Sequence, residues 1–425
     1  MRIFLAAMGS RGDVQPILAL GRALRAKGHE ATVGAGPDFA DWVAELGLPF
    51  VPSGQGVQQW LQDHWEEVHA SFPSRLRAMK SIARDMFPAW FEATVRGAQG
   101  ADLIVSASQF AAPTAAEIHG IPCVGDAYSP LLLRSSYHPP IFTSLQGLPR
   151  WTNSVLWSFY DQVIFGLMKI PLNAERVKLG LAPIRSTSKH LFEGLPYLLA
   201  CDEVVAPRPP DWSRYDVTVT GPWFYEDPSP LDTEVEAFLD SGPAPVYVGF
   251  GSMVSTDAAA LTRTVLEGAG ASGRRVLMSK GWAGIGSAGL PSSVMVVSGP
   301  MPHAKLFSRV AAVVHHGGAG TTASALRAGV PQVIVPHIAD QFHHAHRLAA
   351  LGIAPPGIRI ARLNAERLGQ AIAAALALPA GPRLAAATRL REGDGLARAV
   401  AAIERTAPAN ARLAAGARAL DSLPA

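Results

Sequence analysis

Short apolar runs alternate along the chain with stretches whose apolar positions recur every three or four residues. Ile3 to Met8 is the first such run. After the turn GSRGDVQP comes a stretch from Val14 to Lys27, where Ile17, Leu18, Leu20, Ala23 and Leu24 fall at helical spacing and Gly28 supplies a stop. Glu30–Ala35, Asp102–Ser106 and Ile121–Asp126 read as further strands, and Asp38–Leu46 and Phe110–His119 as helices. The pattern restarts at Pro245–Phe250 (PVYVGF), a buried strand feeding Gly251-Ser252 and a helix near Asp257–Ala271. Arg275–Ser279, Val294–Val297, Val310–His315 and Gln332–Pro336 follow as strands. Helices are predicted between and after them at His303–Ser308, Thr321–Ala328 and Ala339–Leu351. Strand and helix in alternation predict an α/β fold whose parallel sheets are covered on both faces.

The restart divides the chain. The spacing predicts an N-terminal Rossmann-like domain over 1–221, a turn-rich linker over 222–244, a second Rossmann-like domain over 245–404 and a tail over 405–425, the two domains facing across a cleft. Two stretches fall outside the alternation. Val57–Gly97 carries Trp60, Trp65, Phe72, Phe87, Trp90 and Phe91; Trp151–Leu181 carries Trp157, Phe159, Tyr160 and Phe165. They read either as core or as an apolar acceptor pocket, in which Trp60, Trp65, Phe87 and Trp157 are the candidate contacts.

Composition narrows the classes. Of 425 residues, 48% are apolar and 17% charged, which argues against disorder over most of the chain. The net charge is +3 and no Lys/Arg block occurs, so a nucleic-acid partner is not expected. Cys123 and Cys201 are too few for a disulfide framework. With no signal-peptide pattern and no transmembrane run of eighteen apolar residues (Ser154 to Leu172 is broken by Asp161, Gln162 and Lys169), a cytoplasmic location is expected.

The chemistry concentrates in HHGGAGTTASALRAGVPQVIVPHIADQ, His315 to Gln341. Gly317, Gly318 and Gly320 between a strand and a helix let the backbone approach an anion, and the helix start points unpaired N–H groups at it. His316 and Thr321 add donors. The segment matches neither GxxxxGK[ST] nor GxGxxG, and by itself a purely structural turn is the alternative. Near its end Asp340, His343 and His344 stand at i, i+3 and i+4, a spacing open to a metal. Neither HExxH nor DxD occurs, so packed or solvated histidines are preferred and no metal or cofactor is assigned.

The order and spacing of this segment resemble the donor-nucleotide signature of the GT-B glycosyltransferases that use nucleotide sugars. The look is most like the bacterial antibiotic or macrolide and the sterol types, which share GSRGD near the start, a GFGS turn, a later GW and HHGGAGT. The resemblance implies an inverting transferase that moves a sugar from a UDP- or TDP-sugar to a hydroxyl of an apolar small molecule such as a polyketide, flavonoid or sterol. A nucleotide-sugar epimerase, or a binding-only homologue of the same fold, is the alternative. Carried over position by position, it implies that His316, Gly318, Ala319, Gly320 and Thr321 hold the diphosphate and Ser252 touches it from the other side. Asp340 and Gln341 would bind sugar hydroxyls, Trp282 would stack on or bound the base, Met301 would bond its edge through the backbone, and Gly12 counts among the donor contacts. Plant members place Trp where Pro300 stands and Trp-Asn where Ala319-Gly320 stand, so their rules for sugar choice transfer poorly. Asp13 occupies the place of the plant catalytic histidine and is the candidate general base; its alternative is a helix-start carboxylate that neutralises the dipole. The aspartate that supports the plant histidine has no counterpart in LIVSASQF, where Ser106 and Ser108 stand nearby.

Overall fold

Parallel strands bury both faces, so they must be nearly continuous apolar runs, and here they are: VYVG, AVVH and IFLA sit almost wholly out of solvent. In the computed structural model, which describes residues 1–64, 67, 72–107, 110–286, 290–299 and 301–406, they form two sheets. The chain divides into two units, Met1–Pro140 with Leu148–Tyr225 and Asp394–Ala425, and Ile141–Gly147 with Glu226–Gly393.

The first unit holds seven parallel strands in the order β3-β2-β1-β4-β5-β6-β7. They are β1 (Arg2–Ala6), β2 (Glu30–Ala35), β3 (Phe50–Pro52), β4 (Leu103–Ala107), β5 (Cys123–Ala127), β6 (Pro196–Leu199) and β7 (Asp216–Val219). Side-chain alternation divides this sheet's core in two. Ile3, Leu5, Val105, Val124 and Leu198 meet Val14, Ile17 and Leu18 of the helix Arg11–Ala26. Phe4, Ala6, Ile104 and Cys123 meet Ala112, Ala115 and Ala116 on the other face. β3 (FVP), β6 (PYLL) and β7 (DVTV) are strands that the sequence reading did not name.

The second unit holds five parallel strands in the order β10-β9-β8-β11-β12, namely β8 (Val246–Gly249), β9 (Val276–Ser279), β10 (Val294–Val297), β11 (Ala312–His315) and β12 (Gln332–Ile334). Two boundaries differ from expectation. The helix Thr233–Asp240, inside the expected linker, buries Val235 and Leu239, with Leu231 just before it, against Tyr247 and Leu277 and so belongs to the second unit. Residues 394–404, expected in the second domain, and 405–406, expected in the tail, group with the first unit. Ala399, Val400, Ala402 and Ile403 pack among Val14, Leu18 and Leu24, and His29 Nε2 meets Glu404 Oε1 at 3.0 Å. Among the described residues no single helix is long and apolar enough to cross a membrane.

Within the two aromatic stretches, the helices Phe72–Gly97 and Arg150–Lys178 each carry a five-residue π-turn, Ile82–Met86 and Asp161–Phe165. Phe87 packs with Ala83, Phe91 and Leu172. Trp157, 1% exposed, donates from Nε1 to His138 O at 3.0 Å and stands edge-on to His138 and Tyr160. Both are core. Of the two readings of these stretches, Phe87 and Trp157 take the core one and are not acceptor contacts, because neither presents a surface to a ligand. Trp60 is also largely buried, stacked on His64, yet it borders an open hollow of about 470 Å3 shared with Gln55, Gln59, Asp63 and Arg84. Trp65 lies outside the described residues.

Candidate active site

In an open parallel sheet, ligands bind beyond the C-terminal strand ends where the strand order reverses. In the second unit the order reverses between β8 and β11. The turn after β8 brings Gly251 and Ser252 there, and the turn after β11 brings His316, Gly317 and Gly318. The helix Ala319–Ala328 then starts with Gly318 as N-cap and no side-chain cap, so the first N–H groups of Ala319, Gly320 and Thr321 have no intrahelical partner. Ser252 and Thr321 are half-buried, and their hydroxyls make no hydrogen bond among the described residues.

The His316 imidazole lies between the two turns. A Cβ on Gly318 would stand 2.4 Å from its Nε2, and one on Gly251 would stand 3.0 Å from its Cε1. Glycine at both places makes room for the ring. Its Nδ1 is shut from solvent without a hydrogen-bond partner. Burial, reinforced by His315 and His337, holds its pKa well below the ordinary histidine value, so the ring is neutral and offers a hydrogen bond rather than a charge.

A second layer fixes this turn. Buried His315, pushed down to about 3 by desolvation, accepts from Gly317 N at Nδ1 (3.1 Å). A neutral ring that accepts at Nδ1 carries its proton on Nε2, which donates to Gln332 Oε1 at 2.9 Å. His344 Nδ1 donates to Gly317 O at 2.7 Å. Gly317 has φ +93°, and a Cβ there would meet Ile334 at 2.6 Å. His344 is therefore spent on the loop, 4.0 Å from Asp340, and the Asp340/His343/His344 trio is not gathered into a ligand set.

Asp340 is the N-cap residue of the helix Gln341–Ala350 and is mostly buried; desolvation raises its pKa, with His344 opposing. Ala339 before it is, among the described residues, the non-glycine residue with positive φ (56°), a backbone strain of the kind that collects at functional sites. Gln341 uses its Oε1 to accept from His337 N (2.8 Å) and Ile338 N (3.1 Å), and its Nε2 donates to Met253 Sδ at 3.5 Å. Its carbonyl braces the loop, which leaves amide hydrogens for any ligand. Trp282 is half-buried, and its N donates to Gly251 O at 3.0 Å, which joins the turn after β9 to the one after β8. Met301 packs beside Leu306 and Phe307. Pro300 lies outside the described residues.

In the first unit the order reverses between β1 and β4. The turn after β1 carries Asp13, whose Oδ2 accepts from Ser10 N (2.8 Å) and Ser10 Oγ (3.3 Å) in a capping box. Gly12 N donates back to Ser10 Oγ at 3.3 Å. The helix-start role weighed for Asp13 is thus present. Ser106 shares a face with Ile104, away from this helix, and Ser108 lies outside the described residues.

Sequence reasoning missed Asp126. Strand alternation turns it, with Val124 and Tyr128, toward the helix Arg11–Ala26. It is 0% exposed, and neither carboxyl oxygen has a well-formed hydrogen bond. Burial pushes it up to about 7, Tyr128 opposes, and the Asp13 carboxylate pushes the same way as burial. The signal was a charged residue at the end of an apolar strand, IPCVGDA.

Residues 3–130 match the glycosyltransferase family 28 N-terminal domain, and residues 268–401 match the erythromycin biosynthesis protein CIII-like C-terminal domain. The chain is 38% identical to glycosyltransferase GtfE of Amycolatopsis orientalis, over 83% of this chain and 85% of that one. It is 34% identical to the vancomycin aglycone glucosyltransferase of the same organism, with the same coverage of both chains. Among solved structures, glycosyltransferase VinC in complex with DTDP superposes with a TM-score of 0.67 at 20% identity, covering 96% of this chain and 100% of that one.

Proposed function

The chain belongs to the GT-B nucleotide-sugar glycosyltransferases, in the group of the Amycolatopsis Gtf enzymes, and from that premise we propose that it transfers a sugar from a TDP- or UDP-sugar to a hydroxyl of an apolar natural product. The observation that carries the donor half is the uncapped helix start at Gly318 beside the unpartnered His316. Unpaired N–H groups and the positive end of the helix dipole suit a diphosphate, and more so as charge accumulates on it while it departs. TDP is the first donor to try, because VinC is a TDP complex and a relative 33% identical over 83% of this chain is named for a dTDP-sugar.

In this reading Asp13 accepts the acceptor's proton. The acceptor O–H bond breaks, its oxygen bonds the anomeric carbon, the bond from that carbon to the diphosphate breaks, and the anomeric centre inverts. Relatives named for a glycopeptide aglycone and for sterols set the acceptor panel. The test is transfer from TDP- and UDP-sugars to glycopeptide aglycones, polyketides and sterols, read by mass, with product configuration read by proton coupling. Asp13→Ala lowers transfer by about 10²–10⁴-fold while TDP binding persists. Donor binding without transfer to any acceptor, or a retained anomeric configuration, overturns the reading.

A further inference from the structure

A carboxylate in a capping box is a poor base. The two Ser10 donors and the helix start all stabilise the ionised form of Asp13 and so resist its protonation. Something must oppose them if Asp13 is to take a proton. A second carboxyl stands on the sheet face that this helix covers. Asp126, next to last in β5, is fully buried and without a well-formed hydrogen bond, on the same side as Tyr128, whose hydroxyl donates to Asp13 O at 3.4 Å. The titratable groups around Asp126 are Asp13 from the helix, Tyr128 and Cys123 from its own segment, and Tyr197 from β6. Among the described residues, the charged group that acts on Asp126 is Asp13.

We propose that Asp126 is a positioning residue for Asp13: its buried negative charge, once formed, raises the proton affinity of the Asp13 carboxylate, and the Tyr128 hydroxyl holds the two segments in register. The inference rests on the reading of Asp13 as base. Electrostatic coupling is reciprocal, so a charge on Asp13 that disfavours ionisation of Asp126 is matched by an equal effect of Asp126 on Asp13. Burial pushes Asp126 up to about 7, so the charge that acts on Asp13 forms across the neutral range. The site thus becomes a better base as the pH rises, without an imidazole.

The experiment labels aspartate carboxyl carbons with 13C and follows Asp13 and Asp126 by NMR from pH 4 to 9 in the full chain, with Asp13→Asn and Asp126→Asn for assignment. Asp126 inflects near 7, and Asp13 shows a second inflection at the same pH that is absent in Asp126→Asn. Hydrolysis of TDP-glucose, with water as acceptor, supplies the kinetic arm. The wild-type kcat/KM rises about three- to tenfold from pH 6 to 8, the rise is lost in Asp126→Asn with KM unchanged, and Asp126→Glu restores part of it. A purely structural role lowers activity at every pH alike and leaves the limb in place. A wild-type Asp13 with a single inflection, or an Asp126 that titrates near 4, overturns the coupling; these need no variant to fold. Full hydrolysis by Asp13→Asn overturns the base assignment instead, and so separates the two failures.

Discussion

Gly318→Ala tests whether the His316 ring is the working part of the anion site. The new methyl carbon would lie 2.4 Å from His316 Nε2, whereas ordinary carbon contacts begin near 3.4 Å, so the ring must move by roughly 1 Å. The backbone at Gly318 (φ −61°, ψ 149°) accepts alanine, and the clash falls on the end of a side chain, so the fold survives. Replacing glycine at the N-cap costs at most about 1 kcal/mol. Losing a hydrogen bond to a charged ligand costs about 1.5–3 kcal/mol, or roughly 10–100-fold in the Kd for TDP. Titration calorimetry with TDP measures that loss, and thermal unfolding measures the stability. His316→Ala weakens TDP by a similar factor, and the double variant is no weaker than either single one, because both changes remove one interaction. Unchanged TDP affinity in Gly318→Ala refutes the assignment, and so does full additivity with His316→Ala.

Stability should follow the buried acid. Asp126 is raised to about 7 in the fold against about 3.9 unfolded, so its neutral-state contribution is complete below pH 4 and is lost as the pH climbs through 7, by up to about 4 kcal/mol. Urea unfolding at pH 5 and pH 8 finds Asp126→Asn more stable than wild type at pH 8, with the gap closing towards pH 4; an equal pH slope in both proteins contradicts it. Trp157→Ala destabilises by about 3–5 kcal/mol and orphans the His138 carbonyl, as a core truncation does. Trp157→Phe keeps the acceptor KM; a raised KM at unchanged stability is the signature of a binding role instead.

Legibility followed the range of the interactions. β1, the helix Arg11–Ala26, β8, β11 and the glycine turn after it could be read because each is set by neighbours within a dozen residues. The glycine turn could also be singled out as a candidate anion site, since a strand, three glycines and a helix start form a local pattern. What could not be read depends on distant pairing. Asp126 approaches Asp13 only because β5 joins the sheet beyond β4 and alternation turns residue 126 toward the first helix. Residues 394–406 return to the first unit through an apolar face whose partners are nearly 400 positions away. Gln341 looked like a sugar ligand by type and position, yet its carbonyl oxygen already serves two backbone N–H groups of its own loop.

The two units build their sites with opposite electrostatic means. In the second, histidines cluster around the turn, but burial keeps His315 and His316 neutral and His344 is spent on Gly317. Attraction for an anion there must come from backbone N–H groups and the helix dipole, which do not titrate. Affinity for a TDP-sugar, whose doubly esterified diphosphate has no proton that titrates near neutrality, should then show no break as the pH crosses the ordinary histidine range. In the first unit the opposite holds, because a carboxyl poised near 7 makes the local field a function of pH. A transfer rate that varies across neutrality while donor affinity does not is what this division of labour requires, and a cationic His316 would invert it.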